Sequence, residues 1–333
     1  MRILITGVAG FLGSHLADRM IELGHSVIGN DTLIGGYIDN VPADVEFHNI
    51  DCCDLSAMSA IMKDIDIVYH TAATAHEGLS IFSPTFITQN IFQASVGTIT
   101  AAVQNKVGRF IFCSSMARYG NQSFPYLETM RPMPIDPYAI AKVGAEEILK
   151  CIAELNNMEW VIAVPHNIIG PRQNYEDPYR NVMSIMINRV LQGKPPIIYG
   201  DGLQKRCFSY IDDCIFCLEK LAFDKTIKND IFNIGPDEEF ITVKYLAELI
   251  IQELQFNKPP IYFPNRPNEI RYATCDSSKA REQLGYKTTV SLIDGLRQSI
   301  NYIKQRGARP FNYNYPLEIV NESTPKTWSN RLM

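Results

Sequence analysis

The sequence predicts a doubly wound parallel α/β sheet with a smaller C-terminal substrate lobe. Three observations carry this prediction. The chain opens on a strand, a turn Gly7-Val8-Ala9-Gly10-Phe11-Leu12-Gly13 and a helix; short apolar strands then alternate with helical stretches; and after about residue 165 the pattern becomes less regular and richer in Pro and Gly. The first strand is Ile3-Leu4-Ile5, and a helix follows over 11–23. The next strand, Ser26 to Asn30, ends at Asp31 and completes a unit of about 30 residues, the length of one parallel crossover. Further strands are expected over 65–70, 109–115, 160–164 and 231–234, and their near-continuous apolar character fits a sheet covered on both faces. Helical periodicity is clearest over 85–106, 138–155, 181–192, 242–254 and 292–306. Residues 1–165 are expected to form the dinucleotide-binding domain, completed by a later strand near 231–235, and residues 166–306 an interleaved substrate lobe. Residues 307–333 hold Pro310, Pro316, Pro325 and several aromatics without a sustained period, so they read as an irregular extension.

Composition narrows the function classes. With 333 residues, 46% hydrophobic and 20% charged, the chain is long and apolar enough for a sizeable core, which excludes disorder and stapled mini-proteins. Lys and Arg number 31 against 36 Asp and Glu, a formal charge of −5, so no basic field argues for nucleic acid or an anionic membrane. An anionic ligand must therefore meet local cations. The eight cysteines are scattered through apolar stretches and read as reduced core residues. Cys214 and Cys217 have CxxC spacing, but Ile215 and Phe216 lie between them and no second Cys/His pair exists, so no metal is expected. No apolar run reaches the length of a membrane span, and Gly7, Gly10 and Gly13 interrupt the apolar start, so a cytoplasmic protein is expected.

Two constellations carry chemistry. In the first, the glycines of the 7–13 turn permit close backbone approach, and the following helix N-terminus offers free N–H groups and a positive dipole to a pyrophosphate. Asp31, at the end of the next strand, would accept the adenosine ribose hydroxyls and repel a 2′-phosphate, which no Arg in Thr32-Leu33-Ile34-Gly35-Gly36 could neutralise. The cofactor is thus read as NAD and not NADP. In the second, Ser115 ends a strand, and Tyr138 and Lys142 lie four residues apart on one helix face. An ammonium so placed can lower a phenol's pKa and reach a cofactor ribose, giving a base for an alcohol proton.

With both constellations in place, the chain resembles the extended short-chain dehydrogenase/reductase family of nucleotide-sugar epimerases and dehydratases, most of all its UDP-hexose 4-epimerases. The resemblance spans residues 2 to about 300 through TGVAGFLG (6–13), Asp31, DCCD (51–54), HTAA (70–73), SSMARYG (114–120), YAIAK (138–142), HNIIGPRQ (166–173), YGDGLQKRCFSYIDD (199–213), FNIG (232–235) and RPNEIRYATCD (266–276). It implies that Gly7, Gly10, Phe11, Leu12, Gly13, Asp31, Asp51, Cys52, Ala72, Ala73, Tyr138, Lys142 and Pro165 hold NAD, with Asp51 and Cys52 edging the adenine. It further implies that Ser115, Tyr138 and Lys142 are catalytic, and that Ser115, Asn167, Asn181, Arg206, Arg266 and Glu269 meet a nucleotide-diphosphate sugar. Two guanidiniums suit a diphosphate, and a carboxylate suits paired ribose hydroxyls.

Departures from the family pattern restrict the chemistry. The family's 4,6-dehydratases place an acidic pair after the catalytic hydroxyl residue, its decarboxylases a Glu at the second of these positions, and its 3,5-epimerases a Cys there; this chain has Met116 and Ala117. Oxidation at a carbinol carbon and return of the hydride remain, which is 4-epimerisation of a UDP-hexose of the UDP-glucose, UDP-N-acetylglucosamine or UDP-glucuronate type. The alternatives are a 4-keto reductase or another epimerase of the family, and a non-catalytic NAD-binding protein on the same fold. Arg118 reads as a structural ion pair ahead of a uronate partner, and His166 as a hydrogen-bonded or cofactor-wall residue ahead of an acid/base. Ala273, where related epimerases vary in bulk, would leave room for a 2-acetamido group. The resemblance also implies a homodimer through helices 85–106 and 138–155.

Overall fold

The computed structural model describes residues 1–333. Its centre is a seven-stranded parallel sheet of β1 (Arg2–Thr6), β2 (Ser26–Asn30), β3 (Glu46–His48), β4 (Ile67–His70), β5 (Arg109–Cys113), β6 (Glu159–Pro165) and a last strand Asp230–Ile234. The spatial order is Asp230–Ile234, β6, β5, β4, β1, β2, β3. From β1 the chain moves outward through β2 and β3, then crosses back to β4 on the other side of β1. That reversal opens a crevice beyond the carboxyl ends of β1 and β4, the place where such sheets bind ligands.

The apolar runs of the strands are explained by two-sided burial. In β1, Ile3 and Ile5 pack with Leu16, Ala17 and Met20 of the helix Phe11–Glu22, whereas Leu4 packs the opposite way with Met58, Ala101 and Phe110. The helices Pro137–Leu155, Val182–Leu191, Val243–Glu253 and Leu292–Arg306 lie where periodicity places them. The stretch 85–106 is divided instead, into Pro84–Thr88, a π-helical turn Gln89–Gln93 and Ala94–Gln104.

Three further helices, Leu55–Ile61, Ile211–Phe223 and Ser278–Leu284, and the edge strand β3 were not legible in the pattern. The helix Ile211–Phe223 covers one face of the sheet. Its Cys214 and Cys217 are three residues apart and fully buried beside Leu218 and Leu221, so that cysteine spacing is a helix face turned to the core. All eight cysteines are free. No helix is long and apolar enough to cross a membrane.

The second half packs a separate core, in which Met186, Ile187, Leu246, Ile250, Leu296 and Ile300 join the three helices Val182–Leu191, Val243–Glu253 and Leu292–Arg306. A three-stranded ribbon of Ile241–Thr242, Lys205–Arg206 and Tyr272–Ala273 stands at its edge. Residues 307–333 have only one short helix, Lys326–Ser329, and lie across both halves.

Candidate active site

One continuous cleft of about 480 Å³ runs from Asp31, Asp51 and Cys52 past the glycine turn and Tyr138 to Arg206, Arg266 and Glu269. Its first part is made by the turn after β1. Gly7 has φ +71°, and a Cβ there would lie 2.7 Å from Ala72 Cα; at Gly13 it would lie 2.3 Å from Gly7 O. Around Gly10 a Cβ would meet only Gly7 O, at 3.1 Å, so this backbone stays open to the cleft. The helix Phe11–Glu22 starts here without a side-chain cap and without an acidic residue in its first turn. Its positive end is therefore unneutralised and turned to the cleft, as a pyrophosphate requires.

Asp31 accepts from the backbone N–H of Ala9 (3.0 Å) and of Leu33 (2.7 Å). Burial raises its carboxyl, and these N–H groups oppose the rise. Asn30 Oδ1, buried in the same wall, has no hydrogen-bond partner, while its amide donates to the Ile50 carbonyl and Cys52 Sγ. An unpartnered buried acceptor, a glycine cradle and a free helix end together fit a dinucleotide. Ala72, Ala73, Phe11, Leu12 and Pro165 line the same groove.

Tyr138 stands in the first turn of the helix Pro137–Leu155, where Pro137 and the Asp136 cap, accepting from Ala139 N at 2.8 Å, fix the start. Ser115, just past β5, faces it across the cleft, its hydroxyl accepting from the Ala117 N–H at 3.2 Å. Burial pushes the phenol well up; Ser115 and the Arg180 guanidinium pull it down, and Glu77 pushes it further up. Lys142, one turn on and 2% exposed, donates to the Cys113 carbonyl at 2.8 Å, and burial lowers its ammonium to about 8. The ammonium is thus turned to the end of β5, and Ser115 is the group whose hydroxyl lowers the phenol.

At the far end, Arg206 donates to the carbonyls of Lys205 (2.8 Å) and Ile270 (2.6 Å), which fixes its guanidinium at the edge of the ribbon. Arg266 lies over the Tyr199 ring (4.8 Å) and binds Glu269 through two N–H···O bonds of 2.9 and 3.2 Å. Burial alone would raise Glu269, but the charges of Arg266 and Arg206 hold it below the usual range. Asn167 and Asn181 also line the cleft, both with positive φ, and Asn167 donates to the Cys207 carbonyl at 2.9 Å.

Other expectations are corrected or resolved by the geometry. Ala273 pairs in register with Arg206, which lines the cleft, and packs half-buried at the rim of the core. Arg118 is 1% exposed and bound to Glu146 at 2.9 Å, a structural pair with no access to substrate. His166 is buried behind the wall, bonded to the Pro236 carbonyl at 3.0 Å, and burial lowers it to about 4.

The sequence reading missed several groups that face the cleft. Arg180 has no carboxylate within ion-pair distance and only the Asn181 side chain as acceptor, at 3.2 Å. Glu77 opens into the cleft near the Asp136 carboxylate. His76 and Asp177 form a buried pair at 2.5 Å.

The sequence profile of the NAD dependent epimerase/dehydratase family matches residues 3–235. Among curated proteins, the UDP-glucose 4-epimerase of Mycolicibacterium smegmatis is 30% identical over 321 residues, covering 92% of this chain and 99% of that protein. Among solved structures, the UDP-glucose 4-epimerase of Thermotoga maritima with UDP-glucose is 34% identical, with TM-score 0.86, covering 92% of this chain and 99% of that one. The UDP-glucuronic acid 4-epimerase of Bacillus cereus, in complex with UDP-glucuronic acid and NAD, is 29% identical, with TM-score 0.86 and coverage of 92% and 100%. The chain belongs to the NAD dependent epimerase/dehydratase family: it is an enzyme, and its cofactor is NAD.

Proposed function

We propose that the protein is a UDP-hexose 4-epimerase. The observation that carries this reading is the position of Ser115 and Tyr138 where the dinucleotide groove meets the Arg206/Arg266 end, with no other proton-transfer group after Ser115, since Met116 and Ala117 follow it. NAD, when bound, accepts the hydride of the carbinol carbon and gives it back. Tyr138 takes the 4-hydroxyl proton and returns it, and Ser115 holds the oxygen in line with the phenol. Arg206 and Arg266 anchor the diphosphate while Glu269 takes the ribose hydroxyls, so the transient 4-keto sugar can turn over without leaving. Support comes from the family and from relatives named as 4-epimerases.

The test is incubation with UDP-glucose, UDP-N-acetylglucosamine and UDP-glucuronate, followed by proton NMR. A C4 epimer without net cofactor change is expected; no epimer from any of the three, together with stoichiometric NADH oxidation when NADH and a UDP-4-keto-hexose are supplied, would identify a 4-keto reductase instead. A second reading concerns the sugar. Arg180 is a cation without a carboxylate partner whose charge reaches Tyr138, so a 6-carboxylate would find its partner there. UDP-glucuronate is then the preferred substrate, and Arg180→Ala lowers kcat/KM for it more than for UDP-glucose.

In this reading two copies associate through the helices Ala94–Gln104 and Pro137–Leu155, which pack on each other within one chain and leave Ile140 and Leu155 exposed. Sedimentation would show a dimer.

A further inference from the structure

Residues 307–333 are anchored to the substrate half at both ends. Near the start, the Arg309 backbone bonds both polar atoms of the Asn188 side chain (2.9 and 3.1 Å), and the Arg309 guanidinium binds Glu176 at 2.7 Å. Near the end, the Leu332 carbonyl accepts from Arg189 at 3.3 Å, and Tyr199 bonds Thr327 at 2.5 Å. Between these anchors the segment crosses to the cofactor half. There Glu318 accepts from the N–H groups of Thr85 and Phe86, both at 2.8 Å, and Ser83 Oγ donates to the Pro316 carbonyl.

Tyr315 lies at the centre of the crossing. Its hydroxyl donates to the Ile34 carbonyl at 3.2 Å, and its ring packs on His76 (4.8 Å), Phe86 (5.6 Å) and Tyr179 (6.0 Å). The loop it grips begins at Asp31 and lies on the glycine turn: a Cβ at Gly36 would be 2.6 Å from Ala9 O, and Tyr37 N–H donates to that same carbonyl at 3.1 Å. Tyr315 and this loop line the cleft together. The relatives described above are covered over 99% or more of their length, against 92% of this chain, so part of this chain lies outside the matches.

We propose that residues 307–333 are a strap that holds the loop 31–36 shut over the dinucleotide groove, with Tyr315 as the positioning residue, so that NAD stays with the protein between turnovers. Release of NAD requires the loop to lift. Lifting breaks the Tyr315–Ile34 bond and draws the ring from its tilted and edge-on contacts with His76, Phe86 and Tyr179, and the strap cannot follow because Glu318 and Arg309 tie it on either side of the crossing.

The test uses the full chain loaded with NAD and follows NAD release by fluorescence after mixing with excess etheno-NAD, with no sugar present. Failure of the epimerase reading would therefore leave the result unaffected. Tyr315→Phe keeps the ring and removes one hydrogen bond, so release should quicken about 5-fold; Tyr315→Ala removes the ring contacts too and should quicken it on the order of 100-fold. Glu318→Ala, which frees the strap at a distance from the groove, should also quicken release. The melting temperature of the NAD-free Tyr315→Phe protein should match wild type, separating loop positioning from general packing. Release from wild type that is complete on mixing, or unchanged release in Tyr315→Phe and Glu318→Ala, overturns the proposal. If Tyr315→Ala fails to fold, these two variants decide it.

Discussion

The two ends of the cleft are built by opposite means. At the cofactor end, each group sits at or just after a strand: the glycine turn follows β1, Asp31 follows β2, Ala72 follows β4 and Ser115 follows β5. At the sugar end, Arg206 comes from a two-residue strand, Arg266 and Glu269 from a loop, and Arg180 from the segment before a helix. The first end depends on backbone that a parallel sheet must provide, the second on side chains that distant contacts assemble. Substitutions at the sugar end should therefore alter selectivity without touching the sheet, and those at its core should do the reverse.

The largest expected effect lies where the two ends meet. Tyr138→Phe should lower kcat by about 10²–10⁴-fold, with NAD content unchanged after gel filtration. Turnover close to wild type would put the proton transfer elsewhere. Next is a change buried in the cofactor half and outside the cleft. Arg118→Met leaves Glu146, itself fully buried, without its cation, a loss of about 3–5 kcal/mol, measured by urea unfolding. KM of the folded fraction should stay unchanged, and a shift there would contradict the structural role.

Arg206→Ala removes one charged contact at the sugar end. UDP alone should bind about 10–100-fold more weakly, as expected for a charged hydrogen bond, with the NAD content and melting temperature unaffected; calorimetry would show it. Lys142 gives a pH-dependent contrast. Burial lowers its ammonium to about 8, so above that pH the folded chain carries fewer protons at this site than the unfolded one. The buried charge therefore costs stability below about pH 8, and the cost fades as pH rises toward the ordinary lysine value of about 10.4. Lys142→Met should be more stable than wild type at neutral pH, lose that advantage in alkali, and lose activity; an equal gain at all pH values would assign the effect to packing. The smallest effect is expected at Arg271, two residues beyond Glu269, which forms an exposed pair with Asp201 at 2.9 Å and does not line the cleft. Its replacement by Ala should leave KM and stability within measurement error.

Legibility followed the same division. The strands of the sheet and the glycine turn could be read because two-faced burial and a positive-φ glycine leave local marks in the sequence. The helix Ile211–Phe223 escaped because its cysteines and aromatics blur the 3.6 period, although its buried face is continuous. Ala273 is linked to the sugar pocket only through its motif, and its neighbour across the ribbon, Arg206, follows from the pairing of two-residue strands that leave no period in the sequence. The strap read as irregular, which it is; its partners are Ile34, Thr85 and Asn188, far away in the chain.

By itself the sequence determined the parallel sheet, the glycine turn, the NAD cofactor and the Ser115, Tyr138 and Lys142 set proposed for proton transfer, because each depends on residues adjacent along the chain or one helical turn apart. Tertiary structure alone decided that Glu146 is the partner of Arg118, that Arg180 has no carboxylate partner, that Arg266 and Glu269 hold each other, and that Tyr315 meets the loop after Asp31. Those outcomes depend on which surfaces meet in the folded chain, and periodicity carries no trace of such contacts.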